Sequence, residues 1–226
     1  MDKVKEHFDE EAEVFDKTIV KLIPFYNEMI DAMVSAIPFK SSEPIKVLDL
    51  GCGTGNISKA VKTRFPDARI TCIDLAERMI KAAQLKLSAY HDIEYHVADF
   101  SKFKFDDGYD AVVSSLALHH ITTNEEKKDL YSKLFNALKA GGVFYNADTV
   151  KGPNQYLNKL YDEKWTSHMF ENLPDGEVTG KWIPKHEEED FPAKIVEHVD
   201  WLRETGFKNV DVVWKFYGFA VFGGKK

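Results

Sequence analysis

A chain of 226 residues holds one large domain and is short for two. Its formal charge of −7, with no basic run beyond Lys225-Lys226, disfavours nucleic acid as a partner, because sequence-independent binding needs clustered Lys and Arg to displace counterions. No stretch approaches the roughly 18 apolar residues of a membrane span, and the charged run from Asp2 to Glu13 is no secretion signal, so a cytoplasmic protein is expected.

Val4, Phe8, Ala12, Phe15 and Ile19 recur at helical spacing, and beyond Pro24 so do Phe25, Met29, Met33 and Ile37. Two helices are therefore expected over residues 1–40, parted at Pro24 and ended by Pro38 and the turn Ser41-Ser42-Glu43-Pro44. They would form a cap, and a homodimer would pair through them. Residues 45–50 are a short β-branched run that leads into glycines. An amphipathic helix follows (Ile57, Ala60, Val61, Phe65) and stops at Pro66. Arg69–Asp74 and Ile93–Val97 read as the second and third strands, with a helix over residues 76–87 between them. Residues 111–114 read as a fourth strand; a helix over residues 124–138 then leads through Gly141-Gly142 to a fifth at residues 143–147. Strands alternating with helices of this length imply right-handed crossovers and a parallel sheet.

Residues 149–194 look long and irregular, with one helix over residues 154–170 and then Pro174, Gly176, Gly180, Pro184 and Pro192. An insertion of that length in a compact domain is usually a lid or a substrate-binding segment. Residues 195–204 form a helix capped by Gly206. Residues 210–214 and 216–222 form two strands joined by a turn that permits only an antiparallel pair. The expected fold is one doubly wound α/β domain with a seven-stranded, mostly parallel sheet and an antiparallel strand in its C-terminal hairpin. Its parts are a cap (1–40), a ligand-binding core (44–148), an insertion (149–194) and a closing helix with hairpin (195–226).

Gly51, Gly53 and Gly55 sit at the carboxyl end of the first strand, in the crevice where open α/β sheets take ligands. Glycine lets the backbone turn sharply and lets a ligand touch it with no Cβ in the way. The spacing is G-x-G-x-G rather than the dinucleotide G-x-G-x-x-G, and Asp49 precedes it within the strand. A carboxylate there would repel a pyrophosphate but suit the ammonium of an amino acid. Asp74 ends the second strand, where an acid accepts ribose hydroxyls. Asp99, after the third strand, is placed to accept from an adenine amino group, with Phe100 flanking the ring. Such an anionic pocket fits an adenosine joined to a cationic amino acid, which describes S-adenosylmethionine.

Val47-Leu48-Asp49-Leu50-Gly51-Cys52-Gly53-Thr54-Gly55, Ile73-Asp74-Leu75-Ala76-Glu77-Arg78-Met79, Ala98-Asp99-Phe100 and Tyr109-Asp110-Ala111-Val112-Val113 together resemble the successive motifs of class I S-adenosylmethionine-dependent methyltransferases, which have a Rossmann-like fold. The resemblance implies cofactor contacts at Asp49, Gly51, Gly53, Asp74, Leu75, Asp99, Phe100 and Ser115, with Cys52, Asn56 and Met79 beside them. A weaker resemblance covers the cap. Phe8-Asp9, Phe15-Asp16 and Ile23-Pro24-Phe25-Tyr26 resemble the opening of carboxy-S-adenosylmethionine synthase, an enzyme of tRNA wobble-uridine modification, and place Tyr26 near the methionine end of the cofactor. That enzyme holds the extra carboxylate of its cofactor with an arginine in its late insertion. The corresponding Lys181-Trp182-Ile183-Pro184-Lys185 has none, and lysine lacks the bidentate fork, so ordinary S-adenosylmethionine is expected.

Methyl transfer from a sulfonium is a direct displacement, so alignment and removal of water are the main tasks. A base is needed only when the nucleophile arrives protonated. His119 and His120, at the ligand end of the fourth strand, are the candidates for it. Tyr145, Asp148, Trp165 and His168 are candidate acceptor contacts, with Met169, Phe170 and Trp182 available to an aromatic pocket. His186-Glu187-Glu188-Glu189-Asp190 reads as a solvated charged turn, and no metal site is expected, because Cys52 and Cys72 lack ligand spacing and consecutive acids rarely converge on one ion. The acidic balance favours a small-molecule acceptor. The rival readings are the carboxy-transfer enzyme and a catalytically silent cofactor-binding partner subunit.

Overall fold

The computed structural model describes residues 2–12 and 14–226, and for residues 2 and 3 the backbone alone. Three helices open the chain: α1 (Asp2–Glu11), α2 (Phe15–Leu22) and α3 (Tyr26–Ser35). The alternating core follows as β1 (Lys46–Leu50), α4 (Asn56–Arg64), β2 (Arg69–Asp74), α5 (Glu77–Lys86), β3 (Ile93–Val97), β4 (Tyr109–Ser115), α6 (Asn124–Ala137) and β5 (Leu138–Thr149). A 3-10 turn, Leu118–His120, follows β4. The insertion holds α7 (Gln155–Asn172), α8 (Asp175–Glu177), a π-helical turn at Val178–Trp182 and α9 (Ile183–Glu189). The chain closes with α10 (Ile195–Thr205), β6 (Lys208–Phe216) and β7 (Phe219–Lys225).

The seven strands lie in the order β3-β2-β1-β4-β5-β7-β6. β1 pairs in parallel with β2 and β4; β7 runs antiparallel to both β5 and β6. The topological switch lies between β1 and β4, which opens the ligand crevice at their carboxyl ends. The central strands β1 and β4 are buried along almost their whole length because both faces are covered. Val47, Ala111, Val113, Val143 and Val221 pack under α3 and α4, whereas Leu48, Val112, Phe144 and Phe222 pack against Leu130 and Leu134 of α6 and Leu202 of α10. α6 starts from a capping box in which Thr123 accepts from the backbone of Glu126 and Glu126 accepts from that of Thr123.

Two expectations change. The first helix, expected through Ile19, ends at Glu11, and α2 starts afresh at Phe15. Phe8 and Phe15 pack near Met79 of α5, whereas α2 lies along α7, where Trp165 Nε1 donates to the Leu22 carbonyl at 2.9 Å. One straight helix cannot follow both supports. The second change is that residues 175–189, expected to be irregular, are helical. Pro184 falls in the first turn of α9, where its missing N–H costs nothing.

The β5–β7 pair leaves no room beside Gly223, where a Cβ would lie 1.9 Å from the Phe144 carbonyl oxygen and 2.5 Å from the Tyr145 ring. Gly223→Ala is expected to destabilise the protein by about 1–3 kcal/mol, read from the urea midpoint, because the backbone must shift to admit the methyl group. An unchanged midpoint would contradict this close approach.

Candidate active site

The glycine turn leaves β1 with Gly51 at φ +64°, Gly53 at +52° and Gly55 at +82°. A Cβ on Gly51 would meet that of Ala117 at 2.3 Å, so glycine here lets the β4 turn close over the loop. Beside Gly53 the space is open, as a ligand touching the backbone requires. Asp74 ties the turn to β2, its carboxylate accepting from the Gly53 and Ala76 amides at 2.8 and 2.9 Å. A cavity opens in front. Its walls include Tyr26, Gly51, Cys52, Gly53, Asn56, Asp74, Leu75, Met79, Phe100 and Ser115, and thus ten of the residues expected to hold the cofactor.

Two expected residues stand elsewhere. Asp49 is fully buried behind the turn, with one oxygen accepting from Ser58 Oγ at 2.6 Å and the other without a partner. Asp99 does not line the cavity, and its carboxylate accepts from the backbone and hydroxyl of Ser101, with Lys102 3.3 Å off. Local capping two residues on outcompetes a reach toward the ring site. Burial pushes Asp49 up to about 7 and Asp74 up to about 6, partly offset by their hydrogen bonds.

A second cavity, of about 270 Å³, lies between α1, α2, the insertion and the ends of β4 and β5. Phe8, Phe15, Leu116 and His120 line both cavities. Leu116 turns at φ +51°, an uncommon conformation for a branched side chain and a site of backbone strain. His119 is wedged between two carboxylates, with Nδ1 2.5 Å from Asp148 and Nε2 3.3 Å from Asp190. Burial alone would lower its pKa, but Asp190 and then Asp148 outweigh it and hold the ring protonated, at about 10. With both nitrogens committed to carboxylates, His119 stands as a strut with no lone pair to offer, and of the two candidate bases the geometry favours His120.

His120 differs. Its Nδ1 lies 3.1 Å from the Glu189 carbonyl, which only accepts, so the proton sits on Nδ1 and Nε2 carries a bare lone pair. That Nε2 is buried without a partner. Burial, then the charge of His119, push His120 down to about 4.

Of the expected acceptor contacts, Trp165 lines the larger cavity, as does Trp182. Asp148 is buried behind His119, Tyr145 packs at Gly223, and His168 faces the Val20 carbonyl of α2 at 3.3 Å; none of the three lines either of these two cavities. Sequence reasoning missed Asp190 and Glu189, which are not solvated. Asp190 also receives His186 Nδ1 at 2.7 Å, and Glu189 pairs with His7 at 2.8 Å. His119, His120 and Asp190 bring one ligand-type atom each within 4.8 Å of one another, held here as an ion-pair network. It also missed Lys86, which reaches Asp16 and Thr54 at 2.6 and 2.8 Å and binds α2 to the glycine turn. Only the fold brings these partners together, so spacing in the chain carried no sign of them.

This sheet order, with a glycine turn facing an acid at the end of β2, is the Rossmann-like arrangement of S-adenosylmethionine-dependent methyltransferases, and the comparisons agree. Residues 47–142 match the family described as methyltransferase domain. The chain is 28% identical over 224 residues to the carboxy-S-adenosyl-L-methionine synthase of Nautilia profundicola, covering 95% of this chain and 92% of that one. Its identity to the Helicobacter pylori (strain Shi470) enzyme of the same name is 27%, over 97% and 93%. Among solved structures, the complex of the Haloferax volcanii Trm112 methyltransferase activator with a putative methyltransferase superposes with a TM-score of 0.69 at 17% identity, covering 96% of each chain. The DhpI complex with S-adenosylhomocysteine gives 0.65 at 18%, over 96% and 92%. The protein is an enzyme, and S-adenosylmethionine is its cofactor. The wall suits that group, with an open backbone at Gly53 and a buried Ser115 hydroxyl that lacks a partner, and an unpartnered Asp49 oxygen lies behind the turn. Among the described residues, no helix is long and apolar enough to cross a membrane.

His119→Ala is expected to cost about 3–5 kcal/mol, because it strands Asp148 and Asp190 as buried charges; adding Asp148→Asn should restore part of the loss. The His119 pKa is raised above its ordinary 6.5, so the contribution is full below that pH and is lost as pH rises through about 10. Urea titrations across this range should show wild type and variant converging on the alkaline side; parallel curves would contradict the assigned charge.

Proposed function

We propose that the enzyme transfers the methyl group of S-adenosylmethionine by direct displacement to a small molecule held in the larger cavity, and that His120 receives the acceptor's proton. The supporting observation is the wall common to both cavities, where among the described residues His120 is the only polar side chain beside Phe8, Phe15 and Leu116. The bound cofactor supplies an electrophilic methyl group on a cationic sulfur. Around it, Asp74 is the acceptor for ribose hydroxyls, and Asp49 places negative charge behind the turn for the ammonium end, through water. Tyr26 and Asn56, 3.3 Å apart, close the cap side. Phe8 and Phe15 keep water from the reacting atoms, where a competing hydroxyl would weaken alignment. His120 stands neutral near pH 7 and accepts, and a proton on an oxygen that is gaining a methyl group is acidic enough for so weak a base.

The curated relatives favour a second reading, carboxy transfer. Lys181 and Lys185 are the cations in the stretch where an extra carboxylate would need one, and both are engaged by Glu11 of α1, at 2.9 and 3.3 Å. The fold thus neutralises what the missing arginine would have supplied, which supports methyl transfer.

Mass spectrometry of ligand released from the purified enzyme is expected to show S-adenosylmethionine or S-adenosylhomocysteine. A derivative heavier by a carboxyl group would instead establish the second reading. Cofactor affinity should also depend on pH. Asp49 and Asp74, raised to about 7 and 6, are partly protonated near neutrality, and a cationic ligand favours their ionised forms. Binding then releases protons, and affinity rises between roughly pH 5 and 8 before levelling off. Calorimetry should show this slope, weakened in Asp49→Asn; a flat profile would remove both carboxylates from the cofactor site.

A further inference from the structure

We infer that the acceptor is an uncharged aromatic alcohol of the phenol type, methylated on its hydroxyl oxygen with His120 Nε2 taking the proton. This rests on the methyl-transfer reading and adds the chemical class of the acceptor. Three features of the larger cavity lead to it.

The first is hydrogen-bond polarity. His120 Nε2 offers a lone pair, because the Glu189 carbonyl fixes the proton on Nδ1. It is buried, and no donor among the described residues reaches it. A carboxylate, a thiolate or a tertiary amine would bring its own lone pair against it. An O–H satisfies it, and leaving so deeply buried an acceptor unmet costs about 1–3 kcal/mol.

The second is charge. Within the cavity Glu11 is met by Lys181 and Lys185, and Asp190 is met by His119 and His186. Lys151 and Asp162, the remaining charged lining residues, are exposed at its mouth. An ionic acceptor would shed its water inside with no counter-charge left to face it. A neutral acceptor avoids that cost.

The third is shape. Phe8, Phe15, Tyr161, Trp165, Trp182 and Phe219 line the cavity, offering faces and edges that suit a planar ring. Oxygen is favoured over the nitrogen of an aromatic amine because a phenolic oxygen keeps an in-plane lone pair for attack while its proton points at Nε2. The amine's single lone pair is delocalised into the ring. In the transfer, the O–H bond breaks and its proton passes to His120 Nε2. An oxygen lone pair forms the new bond to the methyl carbon, and the carbon–sulfur bond breaks with its electron pair kept by sulfur.

The test offers the enzyme S-adenosylmethionine with 2-naphthol, 2-naphthylamine, 2-naphthoate or naphthalene-2-thiol, reading S-adenosylhomocysteine release and product mass. Binding is read separately from tryptophan fluorescence in the presence of S-adenosylhomocysteine. The expected result is binding of naphthol and formation of its methyl ether, with little or none from the other three. His120→Ala should lower kcat/KM for naphthol about 100-fold, with a much smaller change in cofactor affinity, while His120→Gln, whose amide oxygen still accepts, retains more activity. Methylation of the carboxylate, thiol or amine in preference to the hydroxyl would overturn the inference and leave methyl transfer standing. So would absence of naphthol binding, or unchanged turnover in His120→Ala. Failure to bind S-adenosylmethionine at all would instead sink the reading on which it rests.

Discussion

The arrangement of the site depends on one buried charge, the imidazolium of His119 between Asp148 and Asp190. Asp148 belongs to β5, His119 to the turn after β4, and Asp190 to the end of the insertion, so three remote parts of the chain meet on one ring. A buried ion pair returns little net stability against its desolvation, but its members cannot be separated cheaply. The insertion is therefore held in one place, and the Phe191 amide, which donates to the His119 carbonyl at 2.8 Å, repeats the tie through the backbone. Asp148 is secured in turn by Asn146 and its neighbour's amide.

From that fixed point the division between the two cavities follows. His120 comes next to His119 on the 3-10 turn, with ring centroids 4.1 Å apart, so wherever the strut stands the second ring stands too. The same insertion supplies the Glu189 carbonyl that sets the His120 tautomer and the lysines that hold Glu11 of α1. α1 in turn brings Phe8 over His120, 5.6 Å between ring centres. Cap, insertion and sheet thus close on each other around the point where the cofactor and acceptor spaces meet.

Much of the scaffold was legible in the chain. β2 and β3 have the bounds that the sequence pattern indicates, since each is bracketed by turn formers and held by sheet pairing. The glycine turn and the acid at Asp74 were readable because their spacing is local: one strand, one bend and one helix start fix them. Asp99 shows the limit of such reading. Its carboxylate looked free to reach a ring, but Ser101, two residues on, offered a donor at far lower entropic cost. The break between α1 and α2 was also hidden, because Phe8, Ala12, Phe15 and Ile19 keep one helical period although Ile19 joins a different cluster from Phe8 and Ala12.

By itself, then, the sequence determined the layered α/β sheet, the strand order's ligand crevice and the backbone bend that opens onto it, because periodicity and glycine placement act over a few residues. Tertiary structure alone decided which histidine is charged and which is bare. His119 and His120 are adjacent and identical in type, but carboxylates 29 and about 70 positions away hold the first charged, whereas burial and that neighbouring charge keep the second neutral. Electrostatic environment is a property of folded space, and no local pattern of residues encodes it.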